Sequence, residues 1–207
     1  MQLTDSRCPI SRTLFNGGSW EAEVERPMLQ YANPEWLFLE LGAHIGAFTL
    51  VAAKHYGRVI AVEPHPDSFA LLEKNVKLNG LTNVELHQAA ASDHDGEVAL
   101  RLADGNTGST FTENKNGNHR VTALRPQTIL RGRSPDFIKI DIEGDEYKVL
   151  TVCPELLDAK VIIFEYSPQQ LRRQGGGDIL HLFRDAGFRF PTPETRSYQN
   201  VVARRHW

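Results

Sequence analysis

The chain contains very little cysteine. Among its 207 residues only Cys8 and Cys153 are cysteines, and neither has a partner at the spacing of a metal site. Two distant cysteines in a chain of this length fit free thiols in a reducing compartment. The sequence also lacks an apolar run near the roughly 18 residues of a membrane span, and its N-terminus lacks the apolar core of a signal peptide. These absences predict a cytoplasmic protein with no membrane segment.

A strong net charge is also missing. The formal net charge is −3 and the isoelectric point is near 6.2, whereas a protein that grips nucleic acid needs a strongly basic surface. A hydrophobic content of 41% is enough for one well-buried core. The charge therefore disfavours nucleic acid as a partner. The sequence gives no indication of the oligomeric state.

A third absence concerns glycine in a strand–turn–helix unit. Residues 38–46 read Phe-Leu-Glu-Leu-Gly-Ala-His-Ile-Gly, and residues 58–64 read Arg-Val-Ile-Ala-Val-Glu-Pro, a second strand that ends in an acid. A pyrophosphate-binding turn needs Gly-x-Gly-x-x-Gly, but His44 stands where the middle glycine would be. Two glycines preceded by an acid suit the amino-acid tail of S-adenosylmethionine better than a diphosphate.

Two acids in this unit have predicted roles. Glu63 follows Gly42 by about 20 residues, where a carboxylate can accept hydrogen bonds from a ribose diol. Glu40 can help to orient a turn that holds a ligand ammonium, while the helix N-terminus near Gly46 meets the ligand carboxylate. The alternative is that the glycines only permit a tight turn, as in any strand–helix–strand unit.

A further predicted strand carries three charges on one face. Residues 135–144 alternate between apolar and charged side chains,, and charges beside a buried strand cost free energy unless they pair or face a cleft. Lys139 and Asp141 could form an internal ion pair. Alternatively, Asp141 and Glu143 face a ligand, because open α/β sheets bind ligands at the carboxyl ends of their strands.

Six short motifs follow one another along the chain. They are Glu-Leu-Gly-Ala-His-Ile-Gly (40–46), Val-Glu-Pro (62–64), Ala-Ser-Asp-His-Asp-Gly (91–96), Lys-Ile-Asp-Ile-Glu-Gly-Asp-Glu (139–146), Phe-Glu-Tyr-Ser-Pro (164–168) and Asn-Val-Val-Ala (200–203). In content and order, the chain over about residues 36–204 resembles the FkbM-type S-adenosylmethionine-dependent methyltransferases. It departs from them at Leu124-Arg125-Pro126, where the family usually has Leu-Asp, so no role for an acid is carried over to that position.

The resemblance implies methylation of a hydroxyl group on a sugar or another small natural product. Methylation of nitrogen or of RNA, and a cofactor-binding module without catalysis, are the alternatives. A hydroxyl nucleophile needs a base, and the candidates are Asp141, Glu143, Glu165 and His44. His44 could instead only pack over the turn, and the three acids could hold a divalent cation, although we assign no metal site. The residues expected to contact S-adenosylmethionine are Glu40, Gly42, Ala43, His44, Gly46, Glu63, Pro64, Ala90, Ala91, Asp93 and Asp141.

The predicted elements define the fold class. Strands alternate with helices, which is typical of a mostly parallel sheet. We expect an α/β protein with a Rossmann-like, seven-stranded class I methyltransferase sheet and a C-terminal antiparallel hairpin. Strands are predicted at about 36–41, 58–63, 83–89, 135–143, 160–166, 187–190 and 198–204.

Two segments fall outside this alternation. Residues 1–34 are predicted to be an irregular N-terminal extension, acting either as a lid or only as a structural strap. The methyltransferase domain would then span 35–207. Within it, residues 94–125 contain two short strands around a long polar segment, which predicts either a substrate-facing insertion or plain disorder.

Overall fold

A computed structural model describes residues 20–101, 119–191, 193 and 199–205, together with the backbone of 111–112. The start of the predicted N-terminal extension and the centre of the predicted insertion lie outside these residues.

The main sheet has six strands within the described residues. Five of them run parallel, and the last in the chain is antiparallel to its neighbour. Numbered in chain order, the strands run across the sheet as β10 (Gln199–Arg204), β9 (Val161–Tyr166), β8 (Phe137–Ile140), β1 (Leu37–Leu41), β2 (Arg58–Val62) and β3 (Val84–His87). The strand order reverses between β1 and β8, which places the topological switch point there.

Helices cover both faces of this sheet. On one face, Phe38 and Phe137 stack with ring centroids 5.1 Å apart, and on the other, Phe164 stacks on Phe183 at 4.3 Å. The helices are α1 (Ala22–Gln30), α2 (Ala47–His55), α3 (Pro66–Leu78), α4 (Pro126–Leu130), α5 (Glu146–Val152), α6 (Pro168–Arg173) and α7 (Ile179–Asp185), with a 3-10 helix at Pro154–Asp158.

The predicted fold class is confirmed, but the main sheet has one strand fewer than expected. Residues 187–190 meet β10 only through Arg189, whose backbone exchanges hydrogen bonds of 2.8 and 2.9 Å with Arg204. Pro191, two residues after Arg189, has no N–H to donate, so the ladder does not continue. The antiparallel pair is therefore β9 with β10.

The segment after β3 forms a second, smaller sheet. The predicted strand at 83–89 ends at His87, and the chain then enters the order β4, β7, β5, β6. Asp95 accepts hydrogen bonds from the Arg125 N–H and the Thr128 hydroxyl, both 2.8 Å. An acid from the start of the insertion is therefore hydrogen-bonded to the Leu-Arg-Pro segment at its end. The strands are β4 (Ala90–Ala91), β5 (Gly96–Arg101), β6 (Phe111–Thr112) and β7 (His119–Leu124).

The prediction of an irregular segment before residue 35 was wrong for α1. Val24 and Met28 lie one helical turn apart and are fully buried against the sheet face that carries Phe38. The Tyr56 hydroxyl also donates to the Met28 carbonyl at 2.7 Å. Burial of this one-sided apolar pair outweighs the helix-breaking tendency of Pro27 within α1,.

Candidate active site

The carboxyl ends of β1, β2, β8 and β9 lie side by side. Leu41 is in register with Val62 on one side and Ile140 on the other, and Ile140 is in register with Phe164. We call this border of the sheet the carboxyl edge. It brings together four of the residues predicted for the site, namely Gly42, Glu63, Asp141 and Glu165.

The turn after β1 is held tightly against the end of β8. The N–H groups of Gly42 and Ala43 both donate to the Val62 carbonyl, at 2.9 and 3.0 Å. Gly42 has φ +88°, and a Cβ there would lie 1.8 Å from the Asp141 carbonyl oxygen. Gly46 has φ +90°, and a Cβ there would lie 2.7 Å from a Leu72 methyl carbon. Gly42 is therefore required both by its backbone conformation and by space, and Gly46 is favoured by its backbone conformation.

Glu63 supports this turn from the end of β2. Its two carboxylate oxygens accept hydrogen bonds from the N–H groups of His44 and His65, at 2.7 and 2.8 Å. Burial raises the pKa of Glu63 to about 7, against the lowering effect of these two bonds. Because each carboxylate oxygen can accept more than one hydrogen bond, the contact with the turn leaves Glu63 with further acceptor capacity.

Glu40 lies beneath the turn and is fully buried. One of its oxygens accepts a 2.6 Å hydrogen bond from Thr49, and the other has no hydrogen-bond partner within the described part of the chain. Burial raises the pKa of Glu40 to about 7. A buried carboxylate oxygen without a donor lowers stability, and such a group in a native structure is a mark of a functional site.

Lys139 and Asp141 form the internal ion pair that was one of the two alternatives from the sequence. The Lys139 ammonium donates to Asp141 at 3.0 Å, and its side chain is only 3% exposed while that of Asp141 is 24% exposed. Burial alone would lower the pKa of Lys139, but Asp141 and Glu40 bring it above its ordinary value. Asp141 thus balances a buried cation and also faces solvent at the carboxyl edge.

Glu143 is in a different environment from Asp141. It follows the end of β8 with a left-handed backbone, φ +57°, and its carboxylate accepts a short hydrogen bond from the Gln170 amide. Burial, together with the nearby charges of Asp141 and Glu146, raises the pKa of Glu143 to about 8. Its hydrogen-bond donor is neutral, unlike that of Asp141.

The remaining two candidate bases are less favourably placed. Burial and the nearby His65 lower the pKa of His44 to about 4, so its imidazole is neutral at pH 7 and is a weak base. Glu165 is buried on β9, 2% exposed, and stands opposite Asn200 of β10.

The predicted adenine side lies at the start of the smaller sheet. Ala90 and Ala91 are buried, and Pro64 is half-buried beside Glu63. Asp93 is 46% exposed, and one of its oxygens lies 2.7 Å from the His94 ring nitrogen. That contact lowers the pKa of Asp93, which keeps it an ionised acceptor.

The sequence analysis missed two side chains at this edge. Glu21, just before α1, interacts electrostatically with Lys139 and Asp141 and accepts a hydrogen bond from Asn200. Gln170, in the first turn of α6, holds Glu143. Neither residue could be found from periodicity, because one precedes a helix that was expected to be irregular and the other lies in a helix that was not predicted.

Comparison with known proteins identifies the family. The family model described as Methyltransferase FkbM domain matches residues 40–190. The chain belongs to the FkbM methyltransferase family. Within the described ranges, this member has no helix with the length and apolar character to cross a bilayer, and no three His, Cys, Asp or Glu side chains are grouped as a metal site.

Individual relatives are distant. The chain is 27% identical to Methyltransferase 1 of Beauveria bassiana over 54% of this chain and 56% of that protein. It is 23% identical to the hexuronic acid methyltransferase AglP of Haloferax volcanii over 63% of this chain and 55% of that protein. This FkbM chain therefore spans about half the length of these curated relatives.

Solved structures share the fold. Methyltransferase FkbM of Methylobacillus flagellatus superposes with a TM-score of 0.56 at 16% identity, over 82% of this chain and 44% of that one. SMU.1697c of Streptococcus mutans, solved in complex with SAH, superposes with a TM-score of 0.55 at 9% identity, over 88% of this chain and 96% of that one.

Proposed function

We propose that this chain is an S-adenosylmethionine-dependent methyltransferase that methylates a hydroxyl group of a small molecule, such as a sugar or another natural product. The observation that carries the proposal is the turn at residues 42–46. It has two glycines instead of three, is tied to Glu63, and is pressed against the backbone of Asp141. The named activity of the Haloferax relative supports a sugar substrate, and the SAH-bound neighbour supports the cofactor class.

The residues at the carboxyl edge suit the parts of this cofactor. The turn would receive the amino-acid tail, and Glu63 would accept from the ribose hydroxyls. Asp93, beside Ala90 and Ala91, would accept from the adenine amine. When bound, S-adenosylmethionine supplies a methyl group on a positively charged sulfur, and Glu21, Glu40 and Asp141 around Lys139 give this region an excess of acidic groups.

Glu143 is the best-supported base among the four candidates. A general base works best when its pKa is close to the working pH, and burial raises the pKa of Glu143 to about 8. Asp141 is occupied by the Lys139 ammonium, and His44 has a pKa of about 4. Glu143 would remove the acceptor proton, while the carboxyl edge holds the nucleophile in line with the methyl group.

The first test compares two ligands that a glycine turn could bind. S-adenosylhomocysteine should raise the melting temperature of the protein, and NAD should leave it unchanged, because a ligand that binds only the folded state stabilises it. The opposite preference would remove the proposal.

The second test identifies the acceptor. The protein is incubated with S-adenosylmethionine labelled on its methyl group and with a metabolite extract, and the labelled product is analysed. We expect a methyl ether on a small hydroxyl compound. Label on nitrogen or on RNA would replace the proposed acceptor class, and tight S-adenosylhomocysteine binding without any labelled product would indicate a non-catalytic cofactor-binding module.

A further inference from the structure

The first turn of α6 is fixed directly against the loop that carries Glu143. Ser167 caps this helix, and its hydroxyl accepts from the Gln170 N–H. A Cβ added to Gly144 would lie 2.9 Å from Gln174 Cγ and 3.1 Å from the Gln170 carbonyl carbon and oxygen. The loop and the helix are therefore in contact with no space between them.

The backbone of Glu143 is strained. Its φ of +57° is left-handed, a conformation that a residue with a long side chain adopts only when surrounding contacts hold it there. The following Gly144, with φ +106°, continues the tight turn. This geometry directs the Glu143 side chain to the Gln170 amide of α6.

The two polar atoms of the Gln170 amide are in different situations. Its nitrogen donates to Glu143 at 2.5 Å, while its carbonyl oxygen is buried and has no hydrogen-bond partner among the described residues. A buried acceptor without a donor lowers stability, so stability alone would not select this arrangement. Holding the carboxylate of Glu143 explains it.

We propose that Gln170 is a positioning residue, whose amide donates to the Glu143 carboxyl group and orients it at the carboxyl edge. The proposal deepens the proposed function and rests on it, since it makes Gln170 act through the base. The charged groups that act on Glu143 are Asp141 and Glu146, both acidic. Gln170 is thus the neutral donor that opposes their effect, because a hydrogen bond to the charged form of an acid favours that form.

The test uses a variant that keeps the volume of the side chain. In Gln170→Met the amide is lost, and we expect the pKa of Glu143, followed by NMR of labelled glutamate carboxyl carbons and assigned with Glu143→Gln, to rise by about one unit. With the acceptor in hand, the midpoint of the single-turnover rate against pH should move up by the same amount, and the rate at pH 7 should fall about tenfold. The affinity for S-adenosylhomocysteine should stay within about twofold.

The matched control is Gln169→Ala, because Gln169 is the exposed neighbour on the same helix. It should move neither the pKa of Glu143 nor the midpoint of the rate. A purely structural role of Gln170 predicts a lower melting temperature with an unchanged pKa of Glu143, and this result would overturn the proposal.

A second measurement needs no substitution at Gln170. In the wild-type protein, the side-chain amide protons of Gln170 should shift with pH at the midpoint of the Glu143 carboxyl carbon. Amide protons that do not titrate would overturn the proposal even if Gln170→Met failed to fold. If the coupled titration is present but the wild-type protein transfers no methyl group to any acceptor, the proposed function fails and the positioning of Glu143 by Gln170 stands.

Discussion

Acidic side chains at the two ends of the main sheet have different hydrogen-bond partners. At the amino end, Glu85 accepts from both terminal nitrogens of Arg133, at 2.5 and 3.0 Å, and this partner lowers the pKa of Glu85 to about 2. Asp136 likewise accepts from the Lys160 ammonium at 2.7 Å and from the Leu37 N–H at 3.0 Å. Each of these acids has a cationic partner.

At the carboxyl edge, three buried acids and the half-buried Glu143 are hydrogen-bonded to neutral donors. Their donors are the Thr49 hydroxyl, the Gln170 amide and backbone N–H groups. Burial raises the pKa of each to about 7 or 8, and these acids are Glu40, Glu63, Glu143 and Glu146.

We interpret the ion-paired acids at the amino end as contributing to stability and the acids with raised pKa values at the carboxyl edge as belonging to the proposed site. The two acids at the amino end are neutralised by neighbouring cations, whereas these four acids of the carboxyl edge lie in surroundings that disfavour their charge. Clusters of raised pKa values in a cleft are typical of functional sites, and local departures from the most stable arrangement are expected there. The following substitutions test the contrast, beginning with the largest expected effect.

Glu143→Gln should separate catalysis from stability most clearly. An amide keeps the shape of the side chain and removes a charge that burial disfavours, so the melting temperature should stay the same or rise. Loss of a positioned base should lower the single-turnover rate with the acceptor by roughly 10²- to 10⁴-fold. A normal rate would exclude Glu143 and leave Glu165 and His44 as candidate bases.

Asp141→Asn is the companion variant and should behave differently. Lys139 would lose its carboxylate partner while buried, so we expect a lower melting temperature, with a loss up to the roughly 3 to 5 kcal/mol of a broken buried pair. Calorimetric unfolding of both variants makes the comparison. Equal stability of the two would contradict the different environments assigned to Asp141 and Glu143.

Gly42→Ala should destabilise the carboxyl edge severely. A Cβ 1.8 Å from the Asp141 carbonyl oxygen cannot be accommodated without moving the backbone, and we expect a loss of about 3 to 4 kcal/mol together with weaker S-adenosylhomocysteine binding. Gly132 is the control, because it has φ +79° but no atom within 4 Å of an added Cβ. Gly132→Ala should lose only about 1 to 2 kcal/mol from backbone strain. Similar losses at both sites would refute the steric argument.

The acids at the two ends of the sheet should change the stability of the protein with pH in opposite directions. An acid whose pKa is raised on folding binds more protons in the folded state, so its contribution to stability falls as the pH rises from about 4.5 to about 8, by up to about 1.4 kcal/mol per group and pH unit. Glu85 has a lowered pKa, so its contribution is present above its ordinary pKa and is lost as the pH falls toward 2. Melting temperatures from pH 3 to pH 9 measure both slopes.

Glu63→Gln should reduce the fall of stability above pH 5 without changing the acid side of the curve. A curve that keeps its full slope in this variant would mean that Glu63 does not titrate in this range.

Arg133→Gln should have the smallest effect. The ion pair with Glu85 is partly exposed, so we expect a loss of about 1 kcal/mol at pH 7, which shrinks as the pH falls below about 4. Cofactor affinity should not change. A weaker affinity for S-adenosylhomocysteine in this variant would break the division between the two ends.

Much of the fold and part of the site could be predicted from the sequence. The strand periodicities located β1, β2, β8 and β9 within a few residues, because buried parallel strands leave apolar runs. Helix α1 was missed because its stability comes from Val24 and Met28 packing on the sheet, and not from local propensity. The contact of Gln170 with Glu143 joins residues that are 27 apart in the chain, and no periodicity encodes such a contact.

The most direct test of the site is a calorimetric titration of S-adenosylhomocysteine into the wild-type protein, Glu63→Ala and Glu85→Ala. Loss of the Glu63 carboxylate should weaken binding by about 1 to 3 kcal/mol, because two charge-assisted hydrogen bonds to the ribose would be absent, whereas Glu85→Ala at the amino end should bind as tightly as wild type. Unchanged binding in Glu63→Ala, or an equal loss in both variants, would contradict the assignment of the carboxyl edge as the cofactor site.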